Sequence, residues 1–103
     1  MLHMNEKATW DAIEVNPGDA RAWRRLGHVF QKKGKLVEAE VAFRKATQLN
    51  PNWFKAWESL LPVVSLRHKY EDTAEVLITL IRLKPDRAGE YRKLLEITRR
   101  MYK

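Results

Sequence analysis

The apolar residues of this chain recur at three- and four-residue intervals, which is the spacing of one face of an α-helix. The clearest stripe consists of Trp23, Leu26, Gly27 and Phe30. Similar stripes follow at 57–64 and at 91–102. Together with the segments between these stripes, the pattern predicts six helices, near residues 3–15, 20–33, 36–49, 54–67, 70–83 and 87–102.

The same pattern repeats at a fixed interval of 34 residues. A proline recurs at positions 17, 51 and 85, and an aromatic residue at positions 23, 57 and 91. Leucines at 26, 60 and 94, and apolar residues at 15, 49 and 83, follow the same interval. A period of this length is typical of a helical repeat array, in which each hairpin buries its apolar face against its neighbours.

The segment 23–30 resembles the opening of a tetratricopeptide repeat, which reads aromatic-x-x-Leu-Gly-x-x-aromatic. Ala39, Phe43, Ala46 and Pro51 fall where that family has its second-helix small, aromatic, small and closing proline residues. The resemblance implies an all-α fold, a right-handed α-solenoid of antiparallel helix hairpins in one domain over residues 1–103. Within it we expect a second-type helix of a preceding unit at 3–17, a full repeat at 20–53, a degenerate repeat at 54–87 and a capping helix at 88–102.

The second repeat is expected to be the more irregular one. Leu61 and Thr73 stand where the first repeat has the small residues Gly27 and Ala39. Pro62 lies inside a predicted helix, where proline removes a backbone hydrogen bond and clashes with the preceding turn. His68 replaces the glycine that ends the first helix of the first repeat. We therefore predict a kink near Pro62 and a splayed second hairpin.

Composition excludes several kinds of function. The chain contains no cysteine, so disulfides, thiolate metal sites and cysteine nucleophiles are ruled out. Its sequence has no glycine-rich phosphate loop and no serine in a nucleophile elbow, and its histidines lack metal-ligand spacing. We therefore expect no enzymatic activity and no cofactor. Without a signal sequence or a long apolar run, the cytoplasm is the default location and no membrane partner is expected.

The charge is distributed unevenly between the helices. The chain has a formal net charge of +7. The first helices of the units hold most of the excess, since residues 20–33 carry five basic and no acidic side chains. The second helices are neutral or acidic on balance. Such a separation predicts a basic face that attracts an acidic partner.

In the tetratricopeptide family the first helix of each unit lines a concave groove that holds peptides. The resemblance therefore implies a basic groove for an acidic or C-terminal peptide segment. The residues expected to face it are Arg21, Arg24, His28, Gln31, Lys55, Glu58, Ser59, Arg92 and Arg99, with Lys93 and Glu96 beside the last of these. The family's chaperone-binding members use a clamp of Lys, Asn, Asn, Lys and Arg, but the matching positions here hold Arg24, His28, Ser59, Gly89 and Lys93. Chaperone-tail binding is therefore not predicted.

Two other functions remain open from the sequence. The end helices are complementary halves of one repeat, so copies of the chain could assemble head to tail or pair by like ends. The positive charge also fits nucleic acid, although no RNA-binding signature is present. Trp10 and Trp53 lie outside the repeating aromatic column, so each could serve a contact surface or simply pack locally.

Overall fold

A computed structural model describes residues 5–101 of the chain. Its elements are α1 (Glu6–Val15), α2 (Ala20–Lys32), α3 (Leu36–Leu49), α4 (Phe54–Leu66), α5 (Tyr70–Leu83), a short 3₁₀ turn (Pro85–Arg87) and α6 (Gly89–Met101). The six predicted helices and the all-α class are confirmed. The predicted starts at 3 and the end at 102 lie outside the described residues.

The helix ends follow from local chemistry. The side chain of Asn5 accepts a hydrogen bond from the Ala8 amide at 2.8 Å, and Asp19 accepts one from the Arg21 amide at 3.0 Å. Both are N-caps that satisfy otherwise unpaired amides of the first turn. The 3₁₀ turn before α6 was not predicted from the sequence. It delays the start of that helix from residue 87 to Gly89.

Each helix packs mainly on its neighbours in the chain, and α2 also contacts α4. The main core runs through α1 to α5 and is centred on fully buried residues such as Leu26, Phe43 and Leu60. A smaller cluster of Ala74, Leu77 and Leu95 joins α5 to α6. This nearest-neighbour packing gives a body of 41 × 26 × 24 Å, and it defines an α-solenoid.

The 34-residue period reappears in the hydrogen bonds. The indole nitrogen of Trp23 donates to the Pro17 carbonyl at 2.8 Å, and that of Trp57 donates to the Pro51 carbonyl at 2.7 Å. Both tryptophan rings are partly buried at the edge of the main core. Their rings cover the core while their nitrogens bind the preceding turn.

The two hairpins differ in how closely their helices approach. A Cβ atom placed on Gly27 would lie 2.4 Å from Cδ1 of Phe43, so the ring occupies the space that a side chain would need. The second hairpin has Leu61 and Leu77 at the matching positions, and α4 packs less extensively on α5 than α2 does on α3. This difference agrees with a splayed second hairpin.

Two further irregularities lie in the second hairpin. Helix α4 continues through Pro62 to Leu66, so the proline does not end it, and a kink there stays a prediction. His68 has a backbone φ of 57°, close to the 74° of Gly34 in the matching turn. The histidine therefore adopts the left-handed conformation that glycine adopts without strain.

Candidate functional site

The first helices of the two hairpins are joined by a polar cluster. Ser59 on α4 accepts a hydrogen bond from the Nε of Arg24 at 2.9 Å, and its hydroxyl lies 3.2 Å from the Nε2 of His28. The other ring nitrogen of His28 lies 3.3 Å from the side-chain oxygen of Gln31. Four of the nine predicted site residues therefore belong to one hydrogen-bonded cluster of α2 and α4, in which Ser59 is buried and the other three are partly exposed.

Arg24 is held from two directions. Its guanidinium carbon lies 5.6 Å from the centre of the Trp53 ring, a cation–π arrangement. Among the described residues its hydrogen bonds use only the Nε, and a guanidinium has five N–H donors. The terminal amino groups of Arg24 can therefore bind a ligand while the side chain stays in place. Trp53, which the sequence left undecided, supports this arginine.

His28 is half-buried and packs edge-on against Phe43, with 4.9 Å between ring centres. Burial lowers the pKa of His28, and the positive charges of Arg24 and Lys32 lower it further, while the hydrogen bond to Gln31 opposes this. The imidazole is therefore mainly neutral at pH 7. The permanent positive charge of the cluster is that of Arg24.

The remaining predicted residues of α2 and α4 lie around this cluster. Arg21 is exposed, forms an ion pair with Asp19 at 3.3 Å, and lines an open cleft of about 510 Å³ with Trp53. Lys55 is exposed. Glu58 accepts a hydrogen bond from the Tyr91 hydroxyl at 3.2 Å, which connects α4 to α6. Burial and the Glu58 carboxylate raise the pKa of that tyrosine.

Arg92 and Arg99 belong to a different depression. Together with Leu95, Glu96 and Arg100 they line a second open cleft, of about 470 Å³, on α6. No described hydrogen bond joins Arg92 or Arg99 to the Arg24 cluster. The nine predicted residues therefore form a central group on α2 and α4 and a separate group on α6.

Sequence reasoning missed an ion network around Glu40. This carboxylate is buried on α3, and it accepts hydrogen bonds from Arg44, Arg67 and Lys69, the first and last both at 2.7 Å. Asp72 joins the network through Arg44 at 3.2 Å and Lys69 at 3.1 Å. The 34-residue register carried a signal for it, because Glu40 matches the buried Ala74 of the second hairpin.

The network changes both the electrostatics and the charge count. Burial alone would raise the pKa of Glu40, but hydrogen bonds from Lys69 and Arg44 outweigh it and lower the pKa to about 2. The same contacts raise the pKa of Lys69. Arg67, at the end of α4, is one of three cations that share this buried carboxylate, so its charge is partly compensated. Asp72, in the first turn of α5, adds a second acidic group to the network.

Residues 5–101 contain neither a metal-binding cluster nor a membrane-spanning helix. No group of three or more His, Asp or Glu side chains there could hold a metal ion. None of the helices in this part of the chain is long and apolar enough to cross a membrane.

The fold and these polar first helices define a class, the α-solenoids that present a helix-lined surface to other molecules. Residues 20–52 match the family model of the tetratricopeptide repeat. The chain is a tetratricopeptide-repeat domain, as the sequence motif indicated.

Similar proteins are consistent with this assignment. Over 80 residues, 78% of this chain, the sequence is 32% identical to a peroxisomal targeting signal receptor of Candida glabrata. The chain matches 13% of that protein's length. Among solved structures, the TPR2B domain of yeast Sti1, in a complex with pHsp70, has a TM-score of 0.78 at 21% identity, with 92% of this chain and 80% of that one covered.

A second solved structure has the same fold. The first TPR domain of Spaghetti (RPAP3), bound to the HSP90 peptide SRMEEVD, has a TM-score of 0.77 at 16% identity. The match covers 92% of this chain and 76% of that one. In these two structures the repeat domain is in a complex with pHsp70 and with an HSP90 peptide, respectively.

Proposed function

We propose that this domain is a non-catalytic scaffold that binds an acidic peptide segment or a C-terminal carboxylate along α2 and α4. One observation carries the proposal: Arg24 is fixed by Ser59 and Trp53, with its terminal amino groups free of described hydrogen bonds. Charge-assisted hydrogen bonds from a preorganised guanidinium to a carboxylate are strong and directional. Lys55 and Arg21, both exposed nearby, add positive potential.

The comparison structures support this reading by analogy. The peptide in the RPAP3 complex, SRMEEVD, contains three acidic side chains. The clamp positions of this chain differ from those of chaperone-binding relatives, so the proposal concerns acidic segments in general and not that tail. The cytoplasmic location remains part of the proposal.

Fluorescence anisotropy with labelled heptapeptide pools tests the groove. We expect an acidic pool with a free C-terminus to bind, a basic pool not to bind, and amidation of the C-terminus to show how much the terminal carboxylate contributes. Arg24→Glu should weaken binding by at least about tenfold, because it removes the anchoring donor and adds repulsion.

Arg25→Glu is the matched control, since it makes the same charge change at an exposed neighbouring position on α2. It should weaken binding far less than Arg24→Glu. Equal binding of acidic and basic pools, or equal effects of the two variants, would refute the proposal. Tighter binding of single-stranded RNA with a steep salt dependence would favour the nucleic-acid alternative.

The end helices favour a second function, assembly of copies head to tail. On α6, Leu94 is 43% and Ile97 is 55% exposed, although the matching residues Leu26 and Val29 of α2 are buried. On α1, Ala8 is exposed where its match Ala42 is buried against α2. The two uncovered faces therefore correspond to the two sides of one hairpin.

The charges of the end helices are also complementary. Helix α1 has three acidic residues and one basic residue, whereas α6 has four basic and two acidic residues. A second copy could therefore place its α1 on α6, as α3 lies on α2. Light scattering across a concentration series tests this. We expect the mass to rise with concentration in the wild type but not in Leu94→Glu/Ile97→Glu, and a constant monomer mass would exclude assembly.

A further inference from the structure

An apolar groove lies between α1 and α3, away from the Arg24 cluster. It encloses about 210 Å³, below the roughly 300–1,000 Å³ of small-molecule sites. Buried Leu26 and Phe30 of α2 form part of its lining. Its other apolar residues are Trp10, Trp23, Val37, Val41 and Ala42.

Several large side chains of this groove are left in contact with water. Trp10 is 39%, Val37 is 55% and Val41 is 64% exposed. The ring of Trp10 packs edge-on against Trp23, with 5.9 Å between ring centres, so the groove wall is preformed. Contiguous exposed apolar surface of this kind marks interaction sites on proteins.

The second repeat shows that the fold does not require this apolar surface. The positions that match Val37 and Val41 hold Glu71 and Glu75, and the position that matches Trp10 holds Arg44. Between α3 and α5, the Arg44 side chain forms an ion pair with Asp72 at 3.2 Å. Equivalent positions of the 34-residue register are therefore polar in one repeat and apolar in the other.

The comparison also identifies a charge without a partner. Glu38 lines the apolar groove and matches Asp72, but with Trp10 in place of an arginine it takes part in none of the ion pairs found within residues 5–101. Lys45, further along α3, has its ammonium group over the ring of Trp23, 5.9 Å from the ring centre. Glu38 is thus available to a cation of another molecule. That cation would take the place that Arg44 has beside Asp72.

We infer that this groove binds an amphipathic helix of a partner protein, which inserts a large apolar side chain between α1 and α3 and places a lysine or arginine against Glu38. A groove between two helices suits a third helix with an apolar stripe. The partner's apolar residue covers Trp10, Val37 and Val41, and its cation completes the pair that the second repeat makes internally. This surface is independent of the proposed peptide groove.

The test uses a lactam-stapled helical peptide with a leucine stripe and one lysine a turn from its centre. Its matched control peptide has glutamate in place of the lysine. Binding is followed by NMR through the indole N–H of Trp10, assigned with Trp10→Phe. We expect the lysine peptide to bind at least about tenfold more tightly than the glutamate peptide, since like charges at an interface are strongly disfavoured.

Two variants locate the contact. Val37→Glu/Val41→Glu copies the residues of the second repeat, so we expect it to fold and to lose binding. Gln48→Glu/Asn52→Glu adds the same charge at exposed positions elsewhere and should bind as the wild type does. Glu38→Gln should abolish the discrimination between the two peptides.

Several results would overturn the inference. These are no binding of either peptide, equal binding by the Val37→Glu/Val41→Glu variant, or equal preference for the two peptides in the wild type. A dimer that dissociates on Val37→Glu/Val41→Glu substitution would show that a second copy, not a partner helix, occupies the groove. Circular dichroism of each variant confirms that the helices are intact.

Discussion

The aromatic ring of Phe43 rests directly on Gly27, where a side chain would lie 2.4 Å from two of its ring carbons. Phe43 is fully buried, so the ring has little room to move away. We predict that Gly27→Ala destabilises the domain by about 1–3 kcal/mol through overpacking, despite the better helix propensity of alanine. Urea unfolding measures this change.

Gly18→Ala is the control for that prediction, because a Cβ there meets its nearest neighbour at an ordinary 3.6 Å. It should change the free energy of unfolding by less than about 0.5 kcal/mol. Adding Phe43→Leu, the residue type at the matching position in the second hairpin, should recover part of the loss. Equal effects of the two glycine substitutions would contradict the packing argument.

The buried Glu40 network predicts a dependence of stability on pH. The pKa of Glu40 is about 2 in the folded state and 4.5 in its ordinary state. Its contribution to stability is therefore complete above pH 4.5 and is lost as pH falls towards 2. Removing one partner of a buried ion pair costs about 3–5 kcal/mol, so Glu40→Gln should destabilise the protein by about that amount at pH 7.

Urea unfolding of the wild type and of Glu40→Gln at several pH values measures the gap, which is the difference between their free energies of unfolding. It should narrow below pH 4.5, and again above pH 10.5, because the raised pKa of Lys69 means that the charged lysine is lost only above that value. Glu38→Gln, on the same helix but exposed, is the control and should show little change. A gap that does not vary with pH would show that the charge of Glu40 is not the cause.

The left-handed turn at His68 predicts a stabilising substitution. A non-glycine residue in this conformation costs about 1–2 kcal/mol, although glycine loses more backbone entropy on folding. His68→Gly should therefore raise the free energy of unfolding by up to about 1 kcal/mol. The reverse change at the matching turn, Gly34→Ala, should lower it by a similar or larger amount. Thermal unfolding of both variants checks the pair, and a loss of stability in His68→Gly would refute it.

Pro62 predicts a second stabilising change. It is exposed inside α4, where it cannot donate a backbone hydrogen bond to the Glu58 carbonyl. Replacing proline by alanine in a helix interior stabilises the helix by about 3 kcal/mol. Part of this gain is offset because the unfolded chain becomes more flexible without the proline. Pro62→Ala should thus stabilise by about 2 kcal/mol. Pro85→Ala, at the start of the 3₁₀ turn, should have a much smaller effect, and equal effects would show that α4 accommodates its proline without cost.

Much of the fold could be predicted because the 34-residue register carries it. Residues that repeat, such as Trp23 with Trp57 and Gly34 with His68, occupy equivalent places in both hairpins. The register could also have placed Glu40 in a buried column. It could not show which cations reach that carboxylate, since Arg67 and Lys69 arrive from a turn far along the chain.

The candidate site, like the fold, could be predicted from the sequence only in part. The resemblance to the tetratricopeptide family implied that Arg24, His28 and Ser59 face one groove, and the structure joins these three residues by hydrogen bonds. The contact between Trp53 and Arg24 depends on how far the arginine side chain extends from α2 towards the start of α4. The spacing of residues along the sequence does not determine this. The separation of Arg92 and Arg99 from this cluster depends on where α6 lies, and the unpredicted 3₁₀ turn comes just before that helix.

The hydrogen bond from a tryptophan side chain to the carbonyl of the preceding proline is formed in two repeats, by Trp23 and by Trp57. At the third position Tyr91 instead donates its hydroxyl to Glu58, so α6 is tied sideways to α4 and not back to its own turn. Helix α6 packs mainly on one neighbour, α5, whereas α2 and α3 each pack on at least two helices, so opening should begin at α6. Backbone amides of α6 would exchange with deuterium ahead of those of α2 and α3.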